Sequence, residues 1–335
     1  MPHRPSAAAA HVRIIPSPRA SNPAYYDGGD SALRLSQWDS TMETVSRHIL
    51  QHAQQLAREV AARAVLVYAD AFIEDSELLP VMDFPTVFVT RSTEAGLSTA
   101  SLPHIWVRVP DVPMTRAGQV KTALLVCLAR GVLQKGDRVV CLTGVDGSGI
   151  LDLLLVLDLS SQPGLLTLAY PAVVPADVAA EVFERVLTLA TQLAVEGREG
   201  RPVGALLVLG DSERVLAQSR QLVLNPFHGH PESERNLLDP TVEETIKEFA
   251  ALDGAFVVRG DGVVLTAGTH LVPDGGYVAL SGGLGTRHAA AAGITASTAA
   301  VSVCVSQSTG TVTVYKDGHL IADIQRPSVR RHIGI

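Results

Sequence analysis

The chain of 335 residues is poor in cysteine, in aromatic residues and in charge. Its three cysteines, Cys127, Cys141 and Cys304, sit in apolar surroundings and form no Cys-x-x-Cys pair, which excludes a disulfide framework and thiolate-held structural zinc. Basic residues are not in excess. Lys+Arg number 27 against 34 Asp+Glu, a formal net charge of −7, which argues against a broad basic face for nucleic acid. There is no long hydrophobic run either, since the longest uncharged stretch, Ala289–Tyr315, is diluted by Gly293, Gly310, Gln307 and many Ser and Thr. With 47% apolar and 18% charged residues the chain is not disordered throughout, and it exceeds what one core needs. The expectation is a reducing, cytoplasmic α/β protein of two domains, without membrane or nucleic-acid partner.

Residues 1–40 hold five prolines, a run of four alanines and no sustained periodicity. Arg4, Arg13 and Arg19 precede the first acid, Asp27, which would suit an organelle transit peptide. The plainer expectation is a disordered tail or an upstream start codon.

A first domain is expected over residues 41–160. Val45, Ile49, His52, Leu56 and Val60 recur at threes and fours and predict a helix over Met42–Arg63. Short β-rich runs follow at Ala64–Ala69, Thr86–Thr90 and His104–Val109, then a helix Met114–Gln134, then Arg138–Thr143 and the apolar Ile150–Leu157. Near-continuous apolar strands alternating with helices point to a mostly parallel sheet covered on both faces. His48 and His52 have the spacing of a metal pair, but with no carboxylate partner a solvated helix face is the expectation. Ala64-Val-Leu-Val-Tyr68, Pro85–Arg91, the helix after Thr115 and Gly136–Gly144 together resemble the C-terminal α/β domain of pyruvate kinase. The resemblance implies a regulatory or assembly role and no kinase activity, since the chain has no room for the catalytic barrel. The glycine loop Gly144–Gly149 could take a phosphate ligand or simply turn one strand into the next.

After the proline-spaced link Pro163–Pro175, a second domain is expected over residues 176–325. A helix Ala176–Glu196, a buried strand Val203–Leu209 and a helix capped by Asp211 or Ser212 open it. His228-Gly229-His230 is read as loop rather than metal site. Asp239-Pro240-Thr241-Val-Glu-Glu244 is a strong helix start, and that helix is expected to stop at Asp253-Gly254. Asp261-Gly262 and Asp317-Gly318 separate apolar runs and read as hairpin turns. Asp253 is different, because a carboxylate at a helix C-terminus faces the negative end of the dipole, an unfavourable term of about 0.3–1 kcal/mol. It either wants a cation or is a solvated turn residue. Ser281-Gly-Gly-Leu-Gly-Thr-Arg-His288 precedes a helical run, so its backbone could meet an anion at a helix N-terminus, with Thr286 as cap or phosphate ligand and Arg287 as cation. A purely structural loop fits the same residues.

Asp253-Gly254-Ala255, a hairpin, His270-Leu271, Gly285-Thr286-Arg287-His288 and then a Val-Ser-rich strand together resemble the diadenylate cyclase domain, of mixed-sheet α/β fold. The likeness extends to Glu199-Gly200-Arg201-Pro202, Asn225-Pro226-Phe227 and Lys247-Glu248-Phe249, and the two-domain layout resembles the archaeal type. The resemblance implies condensation of two ATP into cyclic di-AMP at a face-to-face pair of domains, with Mg²⁺ or Mn²⁺ held by Asp253. It implies Asp253, Arg287 and His288 as catalytic residues. It implies nucleotide contacts at Gly254, Ala255, Leu271, Gly283, Gly285, Thr286, Arg287, His288 and Ser306. Two departures stand out: Ala289 where a second basic residue is common, and Gln307-Ser308 where the strand usually ends in carboxylates. The alternative expectation is a degenerate adenine-nucleotide sensor or assembly module.

Overall fold

The computed structural model describes residues 31–71, 83–91, 105–145, 148, 150–160, 173–276 and 285–327, with side chains from residue 45 onward. The tail before residue 31, part of the Gly144–Gly149 loop and Ser281–Leu284 with Gly283 lie outside these residues.

Helix α1 (Ser31–Glu59) begins inside the stretch read as tail. Five strands follow in one sheet, β1 (Ala64–Tyr68), β2 (Thr86–Thr90), β3 (Ile105–Arg108), β4 (Arg138–Gly144) and β5 (Leu151–Asp158), with α2 (Arg116–Ala129) between β3 and β4. Their order is β3-β2-β1-β4-β5. The first four lie parallel and β5 closes the edge antiparallel to β4. Side-chain alternation sends Val65 and Val67 against Leu50, Ala53 and Ala57 of α1. Leu66 and Tyr68 go to the other face, toward Val120, Leu124 and Cys127 of α2. Thr115 caps α2 by accepting from the Gly118 amide at 3.0 Å, and the helix ends five residues short of Gln134. His48 and His52 are both exposed on α1.

The second sheet has the order β12-β11-β10-β6-β8-β9-β7. Its strands are β6 (Ala205–Leu209), β7 (Ser219–Gln221), β8 (Ala255–Val258), β9 (Val264–Leu271), β10 (Val301–Val305), β11 (Val312–Lys316) and β12 (His319–Ile324). Among the described residues only β6 and β8 pair in parallel, so the sheet is mixed as expected. The Asp261-Gly262 and Asp317-Gly318 pairs turn the β8–β9 and β11–β12 hairpins. Helix α3 (Ala180–Glu196) covers one face, meeting Val301, Val303 and Val305, while α6 (Thr286–Ser297) covers the other, over Leu206, Val208 and Cys304. Two short helices, α4 (Ser212–Ala217) and α5 (Glu243–Phe249), lie between strands.

Helix ends depart from the sequence reading at α4, α5 and α6 as well. Asp239 does cap a 3-10 turn, Pro240–Val242, by accepting from the Thr241 amide, but α5 ends at Phe249 and Asp253 lies in the turn beyond it. The dipole argument for Asp253 therefore does not apply, because the field of a helix end fades within a turn. At α6 the N-cap position belongs to Gly285, which has no side chain to cap with, so Thr286 is the first helical residue and not the cap. Asp211 flanks α4 in a left-handed conformation (φ +42°) without a side-chain capping bond.

One hydrophobic cluster runs without a break from the first sheet through α2 and α3 into the second sheet. Polar ties reinforce the junction. Lys121 on α2 pairs with Asp323 on β12 at 2.6 Å, Arg130 grips Glu184 of α3 at 2.6 and 2.7 Å, and the Thr115 amide donates to the Gln325 carbonyl at 3.1 Å. Among the described residues, no helix is long and apolar enough to cross a membrane.

Candidate active site

Because β6 and β8 run parallel, the residues that enter them, Gly204 and Asp253-Gly254, lie at one end of the sheet. Strands β9 and β10 run the opposite way, so their C-terminal residues, Leu271 and Val305 with Gln307 beyond, come to that same end. The first turn of α6 brings Arg287 there. Its Nη2 stands 3.5 Å from Oδ1 of Asp253, across 34 residues of sequence. The Asp253 side chain is 94% exposed and that of Arg287 27%, so an open carboxylate faces a partly seated guanidinium. This is the amino end of the parallel pair, whereas open α/β sheets usually hold ligands at the carboxyl end.

Gly254 is required here by conformation and by space. Its φ is +110°, and a Cβ would meet the Thr269 amide nitrogen at 2.5 Å and the Gly268 carbonyl carbon at 2.6 Å. The turn thus presses on β9 where that strand bulges, at Ala267-Gly268. A partly buried network holds the bulge: the exposed Gln221 accepts from the buried Thr266 Oγ1 at 2.8 Å and Thr269 Oγ1 at 3.3 Å, and donates to the Ala267 carbonyl. Asn225 bonds the Leu265 carbonyl at 2.8 Å and the Phe227 amide at 3.0 Å, so Asn225-Pro226-Phe227 fastens its loop to β9.

A carboxylate and a guanidinium meeting at a helix N-terminus suit a phosphate-bearing substrate. The comparisons agree. A family model described as "DisA bacterial checkpoint controller nucleotide-binding" matches residues 192–320. The diadenylate cyclase of Haloferax volcanii is 31% identical over 244 residues, which cover 72% of this chain and 86% of the relative. The chain belongs to the diadenylate cyclase family. It is an enzyme of that nucleotidyltransferase class. The diadenylate cyclase of Methanocaldococcus jannaschii is 29% identical over 299 residues, covering 83% of this chain and 96% of the relative. The DNA integrity scanning protein DisA of Clostridium botulinum is 32% identical over 116 residues, 34% of this chain and 29% of that protein. Over residues 46–167 the matching model is described as "Probable sensor domain DacZ_P", in place of the pyruvate kinase domain that the sequence resembled.

The candidate site gathers the residues read from the sequence unequally. Asp253, Gly254, Gly285, Thr286 and Arg287 share the open end of the sheet. Ser306, half-buried, begins the turn from β10 to β11 and shares a bond with Ser308 at 3.2 Å. Ala255 and Leu271 point into the core over α6, at 1% and 2% exposure, so only their backbones can face a nucleotide. His288 is also buried, beneath the first turn of α6, and not aimed into the opening. Desolvation chiefly, and the Arg287 charge secondarily, hold its imidazole below the ordinary histidine range. Sequence reasoning missed Gly204, Gln221, Thr266 and Thr269. A glycine heading an apolar strand is the one available signal for Gly204; the polar trio, spread over residues 221–269, carries no local signal.

Proposed function

We propose that the cyclase condenses two ATP molecules into cyclic di-3′,5′-AMP and releases two pyrophosphates. The observation that carries this reading is the juxtaposition of Asp253 and Arg287 at the N-terminus of α6. Each ribose 3′-hydroxyl gives up its proton and attacks the α-phosphorus of the other ATP, and the bond to the pyrophosphate leaving group breaks. Arg287 and the first-turn amides of α6 hold the phosphates, for phosphoryl transfer depends on positioning and charge neutralisation. Gly254, Ala255 and Leu271 offer backbone to the nucleotide, Gly285, Thr286 and Ser306 border the phosphates, and His288 orients Arg287 from below.

Asp253 fits a hard divalent cation, Mg²⁺ or Mn²⁺. No group of three or more His, Cys, Asp or Glu side chains able to hold a metal occurs among the described residues. One exposed carboxylate matches the way Mg²⁺ binds, through one or two carboxylates with substrate phosphates and water completing the shell. Such a cation would neutralise the triphosphate and acidify the attacking hydroxyl.

A two-fold symmetric product suits two cyclase domains face to face, each presenting ATP to the other, so the working form is at least a dimer. We assign residues 176–325 to the cyclase domain and residues 41–160 to a regulatory or assembly domain, in a cytoplasmic protein using cellular ATP.

The test is purified protein with ATP and either Mg²⁺ or Mn²⁺, assayed by mass spectrometry beside Asp253→Asn. Cyclic di-AMP from the parent alone supports the reading. Bound ATP without product under either metal would make the chain a nucleotide-binding sensor. Full turnover by a monodisperse monomer would sink the face-to-face arrangement.

A further inference from the structure

We propose that Gly204 is a positioning residue for phosphoryl transfer: by having no side chain at the entry to β6, it keeps open the berth in which the Arg287 guanidinium lies beside Asp253. The catalytic consequence rests on the cyclase reading above; the berth itself does not.

Gly204 is buried, and its φ lies outside the left-handed region, so the backbone makes no demand for glycine here. The demand is for space. A Cβ at residue 204 would stand 2.7 Å from Nη1 of Arg287, 3.0 Å from Cβ of Gln307 and 3.2 Å from the Val305 carbonyl oxygen. These neighbours come from α6, from the β10–β11 turn and from the end of β10. Two of them are anchored, as a backbone carbonyl in a strand pair and as a Cβ fixed to its own chain. The third is the far end of a flexible side chain. An added methyl therefore displaces the guanidinium rather than the sheet.

Nη2 of the same guanidinium is the atom 3.5 Å from Asp253 Oδ1, so Gly204 and Asp253 hold its two ends. An evicted arginine, still on its flexible stem, can reach a bound triphosphate but no longer holds one fixed direction. Misplacement by about 1 Å is enough to slow positioned chemistry on the order of 100-fold. The loss should therefore fall on turnover more than on affinity.

The experiment is a four-way cycle in the full chain: parent, Gly204→Ala, Arg287→Ala and the double variant. Each is measured for Tm, for affinity toward a fluorescent ATP analogue, and for kcat and KM. Gly204→Ala in the parent should lower Tm and reduce kcat by roughly 10- to 100-fold, with KM and nucleotide affinity changed less than about threefold. With Arg287 truncated the tightest contact is gone, so adding Gly204→Ala should leave nucleotide affinity unchanged and lower Tm by less than it does in the parent, the remainder set by the Gln307 Cβ and Val305 carbonyl contacts at 3.0 and 3.2 Å. An equal Tm loss in both backgrounds would overturn the proposal and make Gly204 a strand-packing glycine. If Gly204→Ala does not fold, folding of the double variant supports the berth and its failure overturns it. If no variant, parent included, makes product, the Tm cycle still decides the berth while the cyclase reading fails.

Discussion

The imidazole of His288 stands edge-on to the Tyr315 ring, with centroids 6.3 Å apart and planes inclined by 72°. Neither His288 Nδ1 nor the Tyr315 hydroxyl finds a hydrogen-bond partner among the described residues. Burial pushes the Tyr315 hydroxyl up to about 12 and, together with Arg287, pushes His288 down. With the folded pKa of His288 below the unfolded value, the unfolded chain binds the proton first as pH falls. Stability is therefore undiminished above about pH 6.5 and declines on the acid side until the folded pKa is passed, by at most about 1.4 kcal/mol per pH unit. The Tm drop between about pH 7.5 and about pH 5.5 should be smaller in His288→Gln than in the parent. Equal drops would assign the acid sensitivity to another group.

Gly254→Ala should be more damaging than Gly204→Ala. At residue 254 the backbone is left-handed and the obstructing atoms belong to the β9 main chain, which cannot swing aside. A loss of roughly 2–3 kcal/mol or more is expected in urea unfolding, together with cyclase activity, because the turn carrying Asp253 must move. A fully active Gly254→Ala would mean that this turn is not what places the carboxylate.

Gln307→Glu tests the missing carboxylate. The Cβ of Gln307 borders the same space as the Arg287 guanidinium, so a carboxylate here meets Arg287 first. KM for ATP should rise several-fold without a gain in kcat, as Arg287 is diverted from phosphate. A rise in kcat would show instead that this position serves the metal.

Removal of residues 1–160 should not yield a well-behaved cyclase. It strips α2 from a cluster continuous with α3 and the second sheet, and breaks the Lys121–Asp323 and Arg130–Glu184 pairs. A loss of several kcal/mol, or a Tm lower by roughly 10 °C or more, is expected along with dye binding to the bared apolar face. An equally stable, equally active fragment would show that the first domain is dispensable to both fold and chemistry.

Much was legible from local pattern. Thr86–Thr90 was bounded to the residue because an unbroken β-branched and aromatic run between turn signals has no competing period. The Asp317-Gly318 hairpin followed from turn chemistry alone, with Asp317 at φ +50° and Gly318 at +80°. Helix ends were less legible. The helix expected to stop at Asp253-Gly254 ends at Phe249 with Ala250 as its C-cap, because the Asp-Gly pair marks a turn without marking where within it the helix gives out.

The amino-acid sequence by itself determined which segments alternate between strand and helix and which residue types could bear charge toward a nucleotide. It also carried the spaced motif around Asp253 and Arg287, since glycine turns and β-rich runs act over a few residues. What only the tertiary structure decided is which of those groups meet. Asp253 reaches Arg287 because β6 and β8 run parallel while β9 and β10 return, a strand order set by burial of both sheet faces under α3 and α6. The same burial turned His288 inward and put a guanidinium where a side chain of residue 204 would be. Local rules act through neighbours in sequence, and close packing acts through neighbours in space.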